Sequence, residues 1–203
     1  MNLFQKEIWL RGRLAIAPRL LALAAVPFLI SYAAAGQAAA PRLRRAPDFT
    51  LFDSDGKKHV LSEHRGRVVV LQFFRIGCLA CQAEAPVLEE LQKKFKSKGI
   101  DFLAISHDQS GAEGLRQFAE KYKISYPLLV GDLEVAVRFL GLNPQRTDFQ
   151  VPQFFVINRE GQITHEFHPA RDAEFFRDFK LGLEQALDAL VGSPPDTRRT
   201  QKT

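Results

Sequence analysis

The only two cysteines of this 203-residue chain, Cys78 and Cys81, form one C-x-x-C pair between a predicted strand and a predicted helix. The run before the pair, 67–74, is apolar and β-branched, which is typical of a buried strand. The run after it, 82–98, is rich in Glu, Leu, Gln and Lys, which favour a helix. A C-x-x-C pair at such a strand-to-helix junction indicates redox chemistry.

The spacing of the pair suits a disulfide cycle. Residues three apart in the first turn of a helix lie on one face, so the two sulfur atoms can come within bonding distance. We expect Cys78 at or beside the N-cap, where free N–H groups and the helix dipole stabilise a thiolate. Cys81, one turn further, is expected to be less exposed and to resolve a mixed disulfide formed at Cys78. A structural disulfide closing so short a loop would stabilise little, and no second C-x-x-C or C-x-x-H follows to complete a zinc site.

Residues 1–40 predict a signal peptide or an N-terminal membrane anchor. Four Lys and Arg residues in the first 19 positions precede the uncharged stretch 20–40, and small residues offer cleavage sites after Ala35 or Ala40. The same 21 uncharged residues are long enough for a membrane tether. Either alternative predicts a periplasmic or otherwise extracytoplasmic protein, where a disulfide is permitted.

The positive charge of the chain lies mainly at its start. Residues 1–45 carry seven Lys or Arg and one Glu, a net charge of +6, whereas residues 46–203 carry 21 Lys or Arg and 22 Asp or Glu, a net charge of −1. We therefore expect no nucleic-acid partner for the remaining domain. Arg42, Arg44 and Arg45 are expected to flank a processing site or a membrane surface.

The remainder predicts one α/β domain over 46–191 and a disordered tail over 192–203. Its elements alternate between strands and helices, which indicates a central sheet covered by helices on both faces. The predicted strands are 49–52, 59–61, 68–74, 100–106, 126–130, 153–157 and 163–167. The predicted helices begin near Cys78 and run to 98, then cover 112–122 and 133–140, and end with one helix capped by Asp172.

Six segments in a fixed order carry a family resemblance: 46–51, 55–57, 61–62, 65–71, 78–86 and 151–161. In this order and spacing the chain resembles the TlpA/ResA-like thiol–disulfide oxidoreductases of the thioredoxin superfamily. The resemblance implies a thioredoxin-like fold, with a central mixed sheet, helices on both faces and an N-terminal β-hairpin extension.

The resemblance also implies roles for four residues and no cofactor or metal. Cys78 is the attacking thiol, Cys81 the resolving thiol, and Pro152 a cis-proline that aims the Val151 backbone toward a bound peptide. A plain strand edge is the alternative for Pro152. Glu84 lies one turn beyond Cys81 and is placed to exchange protons with the active site, whereas a solvated helix glutamate is the alternative.

Several positions depart from the family pattern. Gly77 stands where the family usually has Trp, and Arg75 stands where a small residue is common. Gln72 occupies the position of a buried Asp in thioredoxins, so proton transfer is expected to fall to Glu84 or water. The stretch 143–150 before Pro152 is longer and more polar than is usual in the family, and it is expected to reshape the client groove.

The implied function is an exported enzyme that reduces disulfides in client proteins, of the kind handled in cytochrome c maturation or copper-centre assembly. Its electrons are expected from a membrane thiol-transfer partner. One alternative is a peroxiredoxin-like peroxidase, which requires Thr or Ser at the position of Arg75. Another is a copper chaperone or a non-catalytic interaction module, for which His107, His165 and His168 are the distant candidates, although we expect these histidines at the surface.

Overall fold

The computed structural model describes residues 43–143, 145 and 148–191, so the predicted leader (1–40) and tail (192–203) lie outside the described residues. Twelve strands and α-helices follow one another in this part of the chain: β1 Thr50–Phe52, β2 Lys58–Val60, β3 Val68–Phe74, α1 Leu79–Phe95, β4 Ile100–Ser106, α2 Gly111–Tyr122, β5 Leu128–Val130, α3 Leu133–Leu140, β6 Gln153–Ile157, β7 Ile163–Phe167, α4 Ala173–Arg177 and α5 Phe179–Val191.

The centre of the domain is a five-stranded mixed sheet in the order β5-β4-β3-β6-β7. Strand β3 pairs in parallel with β4 and antiparallel with β6, while β4 pairs in parallel with β5 and β6 antiparallel with β7. Strands β1 and β2 form a separate antiparallel hairpin. The predicted fold class is confirmed, including the N-terminal hairpin.

Strand β3 is buried along its whole length and separates two apolar layers. Val68, Val70 and Phe74 face a cluster with buried residues of α1, α2 and α5. The alternating residues Val69 and Leu71 face the second cluster, which holds residues of the hairpin and α3. Both faces of β3 are therefore covered. At the C-terminal end of this strand the chain leaves the core and reaches Cys78.

The first described residues are held by the folded domain. Arg44 forms an ion pair with Glu166 at 2.6 Å, donates to the Phe139 carbonyl at 2.8 Å and lies over the Phe155 ring. The Ala46 N–H group donates to the carbonyl of Gly161 at 3.0 Å. Arg44 is therefore engaged by the sheet edge. Within the described part of the chain, no helix combines the length and the apolar character needed to cross a bilayer.

The end of the domain differs from the prediction of one final helix. Two helices, α4 and α5, meet at Asp178, whose backbone leaves the helical region with φ −127° and ψ 63°. The Asp178 carboxylate accepts from the Leu181 N–H group, which suits the start of a new helix. Asp172 occupies the predicted N-cap position, now of α4, but its carboxylate accepts from the His168 N–H group and makes no cap bond to the helix.

Candidate active site

Cys78 and Cys81 form a disulfide at the N-terminus of α1, with their Cα atoms 5.2 Å apart. Cys78 is the N-cap residue with extended backbone angles, and its sulfur accepts from the Cys81 N–H group at 3.1 Å. Cys81 is only 2% exposed, whereas Cys78 is partly exposed and its neighbour Leu79 is 80% exposed. The two sulfur atoms therefore differ in access, and Cys78 is the one that a partner protein can reach.

The loop before β6 lies against this pair. The Val151–Pro152 peptide bond is cis, and the Cys78 sulfur lies 3.8 Å from the Val151 carbonyl oxygen. Cys78 follows β3 and Pro152 precedes β6, so the antiparallel pairing of these two strands brings distant parts of the sequence together. The arrangement leaves the backbone of Val151 beside the more accessible sulfur.

Glu84 is buried one helical turn beyond Cys81, on the same face of α1. The residue is 7% exposed, so the alternative of a solvated glutamate is wrong. Burial raises the pKa of the Glu84 carboxyl to about 8, although a hydrogen bond from Gln72 Nε2 to Glu84 Oε2 (3.2 Å) acts in the opposite direction. A carboxyl with this pKa can hold or release a proton near neutral pH.

Arg75 and Gly77 leave the approach to Cys78 open. Arg75 is exposed, and its guanidinium carbon lies 5.4 Å from the centre of the Phe149 ring. Gly77 is exposed, and a Cβ atom built on it would meet no atom within 4 Å. The Trp side chain that the family usually carries here is thus replaced by free space.

The predicted surface position of His107 is wrong. Its ring stacks on Phe73 with 6.2 Å between centroids and an interplanar angle of 7°, and it meets Phe149 edge to face at 5.5 Å. Its Nε2 atom is buried and has no hydrogen-bond partner among the described residues. Burial, followed by the charge of Arg75, lowers the pKa of His107. The cause is tertiary, because both aromatic neighbours lie far from His107 in sequence.

The other two histidines are also partly buried. His165 stacks on Phe167 with 5.8 Å between ring centroids, and burial lowers its pKa. The ring nitrogen Nδ1 of His168 accepts from the Ala170 N–H group. Among the residues with a described position, no three His, Cys, Asp or Glu side chains converge to hold a metal ion.

One further residue reaches the site without any sequence signal. The carboxylate of Asp108, just after β4, accepts from the N–H group of Ile76 at 2.7 Å. Ile76 lies two residues before Cys78, so this contact joins the C-terminal end of β4 to the turn that leads into α1. No motif marks Asp108, because its partner is a backbone group that any residue would supply.

Known proteins are similar across this site. The profile of the AhpC/TSA family matches residues 43–166, a region that includes the cysteine pair, Glu84 and Pro152. The thiol-disulfide oxidoreductase ResA of Bacillus thuringiensis subsp. konkukian is 26% identical over 136 residues, which are 67% of this chain and 75% of that protein. The thioredoxin-like protein YneN of Bacillus subtilis is 26% identical over 146 residues, 71% of this chain and 78% of that protein.

A solved structure has the same architecture. The thiol:disulfide interchange protein of the thioredoxin family from Chlorobium tepidum superposes with a TM-score of 0.60 and 25% identity, and the match covers 73% of this chain and 99% of that one. The likeness therefore extends over nearly all of the compared protein.

Proposed function

Because this chain belongs to the AhpC/TSA family and is a thiol–disulfide oxidoreductase of the TlpA/ResA-like kind, we propose that it is exported and reduces disulfides in client proteins. The observation that carries the proposal is the Cys78–Cys81 disulfide at a helix N-terminus, with the Val151 backbone beside the outer sulfur and the buried Glu84 one turn beyond the inner one. This arrangement provides an attacking thiol, a resolving thiol and a proton acceptor.

The reaction begins at Cys78. In the reduced protein its thiolate, favoured by the N-terminus of α1, attacks one sulfur of the client disulfide and releases the first client thiolate. The Cys81 thiolate then attacks the Cys78 sulfur, reforms the Cys78–Cys81 disulfide and releases the second client thiolate. Two electrons pass from this chain to the client. Client backbone beside Pro152 would be oriented by Val151 during both steps.

Glu84 is the proposed proton acceptor for Cys81. The Cys81 thiol is buried and must lose its proton before it attacks. Burial raises the Glu84 pKa to about 8, closer to the ordinary thiol pKa of about 8.5 than that of an exposed carboxyl, which lowers the free-energy cost of taking a proton from a thiol. Gln72 donates a hydrogen bond to Glu84 and, as an amide, does not take the proton itself.

Return to the reduced state needs an external dithiol. We propose a membrane thiol-transfer protein as this donor. The sequence carries no nucleotide- or flavin-binding motif, and residues 1–40 predict an exported location. The clients would be proteins of cytochrome c maturation or copper-centre assembly, and residues 20–40 would form the tether if the leader is retained. The peroxidase alternative is less supported, since Arg75 stands where that chemistry requires Thr or Ser.

The reduction potential of the Cys78–Cys81 couple tests the proposal. The full chain is equilibrated with defined dithiol buffers, and the fraction oxidised is measured. We expect a value near that of thioredoxin, roughly −270 mV, as suits a reductant. A value above roughly −180 mV would contradict the reducing role and indicate an oxidase or isomerase. A couple that does not cycle would overturn the redox function.

Two single variants test the order of the thiols. Cys81→Ser leaves Cys78 without its resolving partner, so we expect a stable mixed disulfide with a model client, visible as a shift on a non-reducing gel. Cys78→Ser, the matched control, leaves only the buried Cys81 and should trap little client. Equal trapping by both variants would contradict the assignment of Cys78 as the attacking thiol.

A further inference from the structure

The turn that leads into the active-site helix packs the side chains of Ile76 and Cys78 against the core but has no side chain at Gly77. It spans Arg75 to Cys78 and is closed by a hydrogen bond from the Cys78 N–H group to the Arg75 carbonyl at 3.1 Å. Gly77 has no side chain, and the space that a Cβ atom there would enter is empty. Hydrogen bonds to the backbone of this turn act together with that packing to fix the position of Cys78.

Those contacts converge on the backbone of Ile76. Its N–H group donates to Asp108 Oδ2 at 2.7 Å, and its carbonyl accepts from Gln82 Nε2 at 2.8 Å. Gln82 is in turn held by the Tyr122 hydroxyl, which donates to Gln82 Oε1 at 2.9 Å. Both polar groups of Ile76 are thus bound by side chains, and the segment after β4, helix α1 and helix α2 all contribute.

The Asp108 carboxylate has a fixed orientation. Its Oδ2 atom also accepts a short hydrogen bond from the Ser106 hydroxyl, and the Asp108 N–H group donates to the same hydroxyl oxygen at 3.3 Å. Ser106 is the last residue of β4 and is buried. The carboxylate is therefore anchored to the end of the central sheet, and its negative charge stays beside the turn.

This charge acts on the reduced state of the cysteine pair. A carboxylate near a thiol disfavours the thiolate, and the Asp108 carboxylate is bonded to the residue two positions before Cys78. The other ionisable groups described near the pair are Arg75, which belongs to the turn and is exposed over Phe149, His107, which interacts with both Arg75 and Asp108, and Glu84, which is buried on the inner side. Among these four, Asp108 is the one whose side chain accepts a hydrogen bond from the backbone of the turn.

We propose that Asp108 is a positioning residue that holds the turn before Cys78 and, through its charge, makes the Cys78–Cys81 dithiol a stronger reductant. The inference rests on the proposed function, because it concerns the potential of the same couple. A less stable thiolate raises the free energy of the reduced form relative to the disulfide. The equilibrium of two-electron transfer to a client therefore moves toward the oxidised chain.

Two substitutions separate the charge from the contact. Asp108→Asn keeps an oxygen that can accept from Ile76 but removes the charge. We expect its equilibrium constant for reduction by glutathione to rise about three- to tenfold, which is about 14 to 30 mV less negative. The midpoint pH for alkylation of Cys78 in the reduced protein should fall. Asp108→Ala removes both the charge and the contact, and should in addition slow exchange with a model client.

A control variant keeps the charge effect apart from general disturbance. Glu120→Gln removes one negative charge from an exposed site on α2 that makes no hydrogen bond or ion pair with the turn in the described part of the chain, and it should retain the parent potential. A full chain that cycles normally but shows the same potential with Asp108 and with Asn would overturn this inference and leave the proposed function standing. A parent chain that fails to cycle would refute the proposed function itself.

Discussion

Gln72 donates a hydrogen bond from Nε2 to the Oε2 atom of Glu84 over 3.2 Å, and the two residues are only 4% and 7% exposed. Gln72 comes from the central strand β3 and Glu84 from the active-site helix α1. Burial raises the pKa of Glu84, while this hydrogen bond stabilises its ionised form and limits the rise. The amide of Gln72 thus adjusts the carboxyl without taking part in proton transfer.

Gln72→Leu tests this adjustment. Loss of the donor leaves the buried Glu84 carboxylate without its hydrogen bond, so we expect the pKa of Glu84 to rise above its parent value of about 8. The limb of the pH–rate profile for client reduction that depends on Glu84 should move to higher pH. Gln72→Glu would add a second buried acid and is not a clean test. A profile for Gln72→Leu identical to the parent would show that the amide has no influence on the carboxyl.

Glu84→Gln tests the proton-transfer role directly. The amide keeps an oxygen that can accept from Gln72 but cannot take a proton from Cys81. We expect the rate of client reduction to fall by about 10²-fold, the lower range for loss of a general base, and the pH dependence near pH 8 to disappear. Glu90→Gln, at an exposed position of the same helix, is the matched control. An unchanged pH profile in Glu84→Gln would reduce Glu84 to a structural carboxyl.

The raised pKa of Glu84 also predicts how the free energy of unfolding depends on pH. Its pKa is raised from 4.5 to about 8, so between these values the folded chain binds a proton that the unfolded chain has released. The free energy of unfolding should therefore fall as the pH rises through this window, by on the order of 2–4 kcal/mol. Glu84→Gln should flatten the dependence of the free energy of unfolding on pH, measured by urea unfolding of the oxidised protein at a series of pH values. A parent protein equally stable at pH 5 and pH 8 would contradict the burial of an ionisable Glu84.

The fold follows closely from local sequence patterns. Strands 100–106, 153–157 and 163–167 and helix 133–140 have the bounds expected from the sequence. Their ends are set by local signals such as Gly99 and Gly141, which adopt positive φ values of 79° and 63°. The split of the final helix was not predictable in this way, because the Asp172 carboxylate accepts from the His168 N–H group and Asp178 starts a second helix, α5.

The site was predictable only where its geometry is local. The position of Cys78 at the N-cap follows from a spacing of three along one helix. The burial of Glu84 depends on strand β3, which lies across the core, so the sequence left two alternatives open. His107 and Asp108 depend on partners at positions 73, 149 and 76, and their contacts arise only once the sheet and the loops have assembled.

The lowered pKa of Asp101 predicts the pH range in which acid destabilises the fold. Burial opposes its ionisation, but hydrogen bonds from His64 Nδ1 (2.7 Å) and from the Arg67 guanidinium (2.6 and 2.7 Å) prevail and lower the pKa of Asp101 from 3.8 to about 2. The stabilisation is complete above pH 4 and is lost as the pH falls toward 2. We expect Asp101→Asn to lower the free energy of unfolding by about 2 kcal/mol at pH 7. The variant should lose less stability than the parent on acidification. Asp55→Asn, at an exposed site, should match the parent.

Gly77→Trp tests how the open approach to Cys78 selects clients. The position has free space within 4 Å of a built Cβ atom and does not adopt a positive φ value, so a side chain fits there and the melting temperature should be unchanged. An indole that covers about 50 Å² of apolar client surface would add about 1 kcal/mol, or about fivefold in kcat/KM. The measurement compares two peptide disulfides that differ only in apolar or polar flanking residues, with Gly77→Ser as control. We expect the gain only for the apolar peptide, because a polar flank has no such surface to bury. An equal gain for both peptides would instead place the effect in the reactivity of Cys78.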